Sequence, residues 1–147
     1  MELSNNATVF LPKSANEEVR TFIQKAYNTF DHPEKFIELF NDDAVVHILG
    51  APTDRHYAGV HRGLEEIRWL LRMFTTEIHR RKQTILNVII DGDSFAVRRS
   101  VEFRHRGTSM SVKTEIAWLV RLREGKIAEA YEFADTALIS RLGGDRE

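Results

Sequence analysis

Two charged residues stand on otherwise apolar faces of β-type runs, and chemistry is most readily placed there. By strand alternation, Arg99 shares a face with Val101 and Phe103, and Glu132 shares one with Ala130 and Ala134. A carboxylate in a mostly apolar site has its pKa raised by desolvation and lowered by a nearby guanidinium. Such opposition is common where a general base works. The alternative is an ion pair that only satisfies buried or rim charges. Tyr27, on a helical stripe, is either a hydrogen-bond donor to a ligand oxygen or a core tyrosine with its hydroxyl at the rim. His79, just before the sheet begins, is a second acid–base group or a satisfied histidine at a helix end. His47, His56 and His61 show no metal-ligand spacing, so no metal site is expected.

These residues must be held by a sheet and something laid against it. Lys113 to Asp135 reads as a long hairpin, with Glu124-Gly125-Lys126 as its turn and Gly125 at the position that most wants a positive φ. Ile116, Trp118, Val120 and Leu122 fall on one face of its first arm. Ile85–Ile90 and Phe95–Arg104 read as two further strands joined at Asp91-Gly92-Asp93, and Asp43–Leu49 as a first strand. The helices come earlier. Ser14 with Glu17 forms a capping-box pattern ahead of the stripe Val19, Phe22, Ile23, Ala26, Tyr27 and Phe30. Asp31-His32-Pro33-Glu34 restarts the chain as a second, short helix with Asp31 as cap, carrying Phe36, Ile37, Leu39 and Phe40. After a polar loop up to Gly63, a third helix turns Leu64, Ile67, Leu70, Leu71 and Phe74 inward, with Trp69 and Met73 on its flanks. Residues 1–13 read as an extended arm and 139–147 as a polar tail.

Composition narrows the function classes. The chain has 147 residues, 42% hydrophobic and 29% charged, which suits one soluble domain spanning 1–147. A net charge of -1 gives no electrostatic reason to expect nucleic acid or an anionic membrane as a partner. Without cysteine there is no thiol catalysis, disulfide or zinc-thiolate site. The first residues lack a signal-peptide pattern and no apolar run reaches membrane-spanning length, so a cytoplasmic protein is expected. The basic groups Arg80-Arg81-Lys82, Arg98-Arg99 and Arg104-His105-Arg106 are interleaved with Glu102, Glu115, Glu129 and Glu132 and lack an aromatic stacking platform. They read as a solvated or intersubunit sheet face with cross-strand ion pairs.

The element order, with Glu38-Leu-Phe-Asn-Asp-Asp-Ala-Val-Val, Tyr57-Ala-Gly through Gly63-Leu-Glu-Glu-Ile, and Gly125-Lys-Ile through Tyr131-Glu-Phe-Ala-Asp135, resembles the SnoaL-like branch of the nuclear transport factor 2-like superfamily. That branch includes ketosteroid isomerase, limonene-1,2-epoxide hydrolase and polyketide cyclases. The resemblance implies an α+β cone-shaped barrel, three N-terminal helices packed on a strongly curved, mostly antiparallel sheet. The carboxylate base of ketosteroid isomerase falls at Ile48 and its first-helix tyrosine near Ile23, one helical turn before Tyr27. The epoxide hydrolase's arginine matches Arg99 and its last-strand carboxylate matches Glu132. Its other carboxylate falls at Val101, and its water-holding Tyr and Asn at Val46 and Ile48. His47 is similar to a histidine of cyclase-like members, although parity turns it away from Val46 and Ile48.

The expectation is a cofactor-free acid–base enzyme, of isomerase, cyclase or hydrolase type, acting on a small apolar oxygen-bearing molecule. The alternatives are a binding domain that uses the same pocket, and a dimer whose cone is filled by its own side chains. Glu132 would be the base, Arg99 its orienting or oxyanion-stabilising partner, and Tyr27 or His79 the proton partner. Val46, Ile48, Met73, Val101, Phe103, Ile116, Trp118, Ala130 and Ala134 are expected to line the substrate pocket. Superfamily members commonly dimerise through the outer sheet face, where Leu86, Val88, Ile90, Ala117 and Leu119 are expected here.

Overall fold

In the computed structural model, residues 17–51 and 57–143 are described, so the arm, the Ser14 capping box and His56 lie outside the described residues. Helix α1 (Glu17–Thr29) carries Glu17 and Glu18 in its first turn, where the helix dipole favours acidic side chains. Its buried stripe is Val19, Phe22, Ile23, Ala26 and Tyr27. Helix α2 (Pro33–Phe36) starts on Pro33, whose fixed φ suits a first turn, and tightens into a 3-10 turn over Ile37–Leu39. Asp31 does not cap it. His32 holds that position without a side-chain bond, and the Asp31 carboxylate accepts from Arg80 instead at 2.6 Å.

Strand β1 (Phe40–Ile48) starts three residues before the expected Asp43, taking Phe40 from the helix. The polar loop contributes a short strand, β2 (Gly59–Arg62), and α3 (Gly63–Glu77) follows. Helix α3 passes directly into β3 (Ile78–Asp91), so His79 lies within the strand rather than ahead of the sheet. Strands β4 (Ser94–His105), β5 (Ser111–Arg123) and β6 (Lys126–Ala134) complete the sheet, and α4 (Thr136–Ser140) follows it. The sheet order is β2-β1-β6-β5-β4-β3, with β1 and β6 parallel and every other pair antiparallel. It curls into a half-barrel with the helices on its concave face, the α+β cone that the resemblance implies. No helix among the described residues is long and apolar enough to cross a membrane.

The β5–β6 turn has positive φ at both Glu124 (54°) and Gly125 (77°), the backbone a two-residue hairpin with right-handed strand twist requires. Two bulges interrupt β3, between Arg80 and Lys82 and between Ile85 and Asn87. Each extra residue reverses the inward–outward alternation beyond it. The second bulge corrects the expected outer face: Val88 and Ile90 pack on the core, while Leu86 and Ile89 are exposed.

The interior has two parts. The larger packs α1, α2 and α3 on Val46, Ile48, Val97, Val120 and Ile127. The smaller joins Ile78, Val101, Phe103 and Ile116 to Ile139 and Leu142. The residues expected to form a polar tail therefore begin with a buried anchor. Asp135 caps α4 by accepting from the Leu138 N–H at 3.1 Å, and the spacing of Ile139 and Leu142 puts both on the core side.

Candidate functional site

A cavity lies between α3 and the concave face of the sheet, with about 730 Å³ of atom-free space including what opens to solvent. Its walls are mostly apolar. Ile67, Leu70, Leu71 and Phe74 of α3 close one side, and Val46, Ile48 and Ala130 the other. Between them stands an aromatic cluster. Phe30 meets Trp118 edge-on at 5.1 Å, and Phe36 lies 5.1 Å from Phe30 and 5.4 Å from Phe40.

Three ionisable side chains of this wall matter most: Glu132, Arg99 and Arg80. Strand pairing sets the first. Glu132 of β6 lies between Ile48 of β1 and Trp118 of β5, and the Trp118 indole Nε1 donates to Glu132 Oε1 at 3.0 Å. Arg99 lies opposite Ile116 on β4 and is only 3% exposed. Its Nη1 donates to Gln83 Oε1 at 2.9 Å, and its guanidinium carbon sits 4.7 Å from the Phe30 ring centre and 5.4 Å from Trp118. Burial pulls the guanidinium down to about 9, helped by the charge of Arg80 and opposed by Glu132, Tyr27 and Asp31. It is still a cation at neutral pH.

Arg80 was expected on a solvated or intersubunit face. The chain turns it inward because α3 leads straight into β3, which pairs Arg80 with Phe103 before the first bulge. Its guanidinium carbon stands 4.6 Å from the Phe30 ring centre, so two cations share that ring. Inward alternation from Ile78 is the sequence signal that could have found it, while reading Asp31 as a helix cap hid its partner.

A SnoaL-like domain profile matches residues 19–130. The chain belongs to the SnoaL-like family. None of the curated proteins matches it. Among solved structures, an NTF2-like protein of unknown function from Burkholderia pseudomallei superposes with a TM-score of 0.79 at 16% identity, covering 88% of this chain and 100% of its own. A provisionally named isomerase from Rhodopseudomonas palustris gives 0.76 at 14% identity, covering 89% and 98%. A protein provisionally named a SnoaL-like polyketide cyclase, from Mesorhizobium loti, gives 0.64 at 20% identity, covering 80% and 96%. At these identities the likeness is one of fold.

Within this SnoaL-like domain the expected residues separate. Glu132, Arg99, Val46, Ile48, Trp118 and Ala130 meet at the cavity. Val101, Phe103 and Ile116 instead fill the second core, with Ala134 packed against it, and Met73 packs on the larger core without lining the cavity. Tyr27 lines a smaller space behind Phe30, Arg99 and Trp118, and its hydroxyl donates to the Gln83 carbonyl at 2.9 Å. Desolvation pushes that hydroxyl up to about 12 against the pull of Arg80 and Arg99. His79 is exposed and pairs with Arg104 on the opposite face of β3 from Ile78.

Two other histidines, His47 and His61, have partners of their own. His47 stacks on Tyr131 at 4.0 Å and approaches Glu129 Oε2 at 3.0 Å, on the outer sheet face that parity gives it. His61 bonds the Tyr57 carbonyl at 2.8 Å. The apolar cavity walls from Phe30, Phe36 and Phe40 were read from sequence only as core. Periodicity reports that such rings point inward, but a wall and a packed core give the same pattern.

Proposed function

We propose that this chain is an acid–base enzyme of the isomerase or cyclase type, working on an apolar small molecule that carries a carbonyl or similar oxygen. The observation that carries this reading is the Glu132 carboxylate, fixed by the Trp118 indole on an aromatic cavity wall that also holds the buried Arg99 cation. Glu132 takes a proton from the carbon beside the substrate's carbonyl. The charge left on the substrate oxygen is stabilised by the Arg99 guanidinium, and in an isomerisation the proton returns at another carbon. In a cyclisation, the enolate carbon attacks a second carbonyl of the same molecule, whose C=O π bond opens to an alkoxide that takes the proton back from Glu132. Oxidation state is unchanged along this path, so the proposal invokes no cofactor.

The fold neighbours provisionally named as an isomerase and a polyketide cyclase agree with this class. Among the described residues of the wall, Glu132 is the single carboxylate. That disfavours a hydrolase built on two carboxylates, and it favours, as the second reading, a binding domain using the same cavity. We also propose that two copies associate across the outer sheet face, where Ile89 is 65%, Leu119 47% and Phe133 43% exposed.

The deciding experiment incubates the protein with a panel of cyclic and aryl ketones and β-keto esters in deuterated buffer and follows exchange of the protons beside the carbonyl by NMR. Accelerated exchange by the wild type is expected, reduced about 100-fold or more in Glu132→Gln, the usual weight of a positioned base. A Glu132→Gln variant that keeps the wild-type rate overturns the assignment. Probes that bind without exchanging select the binding-domain reading.

A further inference from the structure

Two buried donors at and behind the polar side of the cavity have no hydrogen-bond partner. Arg80 has a side chain only 5% exposed, and its Nη2 is held by Asp31, itself 42% exposed. Its Nε is buried with no hydrogen-bond partner. Arg99 bonds a neutral partner, the Gln83 amide oxygen, and the other end of that amide, Nε2, is also buried without a partner. Both guanidinium groups stand within 4.7 Å of the Phe30 ring centre, close enough for the charge of Arg80 to depress that of Arg99.

Two cations crowded on one ring, with unfilled donors beside them, are stabilised by an anion that accepts from both. Resting on the reading of this cavity as a small-molecule site, we propose that its occupant carries a carboxylate or similar organic oxyanion that docks on Arg80 and Arg99. The planar fork of a guanidinium matches a carboxylate, and Asp31 already accepts one charge-assisted bond from Arg80 Nη2. The aromatic walls then take the apolar body of the molecule. An ammonium ligand fits less well although aromatic faces attract cations, because two guanidinium groups already occupy the neighbourhood of Phe30 and one of them that of Trp118. The anion also explains how a substrate is oriented: its charged end is anchored between Arg80 and Arg99, the charge of Arg99 serving the adjoining carbonyl oxygen as well, and its reactive carbon is left for Glu132 on β6.

The test uses three probes of one shape: naphthalene-2-carboxylate, neutral 2-acetonaphthone and the naphthylmethyl ammonium ion. Each is titrated into the full chain by calorimetry at low salt. The carboxylate is expected to bind roughly tenfold or more tighter than the ketone, since one charge-assisted bond in a dry site has that weight. Arg80→Gln should erase the preference, and Arg80→Lys, which keeps the charge without the fork, should retain part of it. Circular dichroism and melting confirm that each variant is folded, and the wild-type ratio decides the question even if a variant is not. Equal binding of carboxylate and ketone, or preference for the ammonium ion, overturns the anion proposal and leaves the cavity reading standing. Failure of all three probes to bind the folded wild type overturns both.

Discussion

Strands β4 and β5 contribute to two interiors that differ in what fills them. Around Val97, Arg99 and Trp118 the sheet faces an aromatic cavity with charge in its wall. A few residues along the same strands, Val101, Phe103 and Ile116 are met by Ile139 and Leu142 from the chain's last helical turns. The alternation of the strands is identical in both places. What differs is the partner: α4 and the turn after it fill one end with aliphatic side chains, while α3 stands off the other. Whether a strand face becomes a wall or a packed core is decided by the element laid over it, not by the strand.

The strongest way to break that comparison is truncation in the filled part. Phe103 is 1% exposed among Ile78, Val101 and Phe74, so Phe103→Ala should lower unfolding stability by about 3–5 kcal/mol in a urea titration. Ile48, on the cavity wall, has empty space on one side and fewer atoms to lose. Ile48→Ala should therefore fall near the lower end for such changes, about 2 kcal/mol. Equal losses at the two sites would mean that the cavity end is packed as tightly as the other.

The fold was largely legible because periodicity reports elements directly. The hairpin at Glu124-Gly125, the stripe of α1 and the third helix all stand where their spacing put them. Parity also placed Arg99 and Glu132 on the concave side and His47 on the other. The site was less legible for two physical reasons. Bulges are set by pairing with the neighbouring strand, so the inward turn of Val88 and Ile90 and the exposure of Ile89 left no local mark. Arg80, in a run of three basic residues, looks like a solvated cluster until Asp31, 49 positions away, is brought beside it. The expected pocket residues Val101, Phe103, Ile116 and Ala134 share the parity of Arg99, Trp118 or Glu132 on their own strands, and parity cannot say how far along a strand a cavity extends.

A finer probe of the charged end is its alkaline behaviour. Tyr27 has its hydroxyl raised from 10.0 to about 12, chiefly by burial, so the unfolded chain loses this proton first. The tyrosine's contribution to stability is therefore complete below pH 10 and declines as pH rises toward 12. Arg99, whose folded value is depressed to about 9, works in the opposite direction across the same interval. Comparing the wild type with Tyr27→Phe isolates the tyrosine, and the variant's unfolding free energy should fall less steeply over that interval. Parallel slopes would show that the hydroxyl is not buried against Gln83.

The smallest effect is expected on the convex face, and it sharpens the contrast between the two sides of the sheet. His47 meets Glu129 at 3.0 Å and stacks on Tyr131, but the pair is 22% and 33% exposed, so water competes for the contact. Exposed ion pairs contribute roughly 0–1 kcal/mol, and the stacked ring adds a similar amount at most. His47→Ala should thus cost about 1 kcal/mol or less in the same urea titration, and should leave the carboxylate preference of the cavity unchanged. A loss as large as that of Phe103→Ala would mean that this face is buried in the working protein, as it would be beneath a second copy. Repeating the titration at several protein concentrations then separates the two cases, because a midpoint that climbs with concentration belongs to an assembly and a constant one to a single chain.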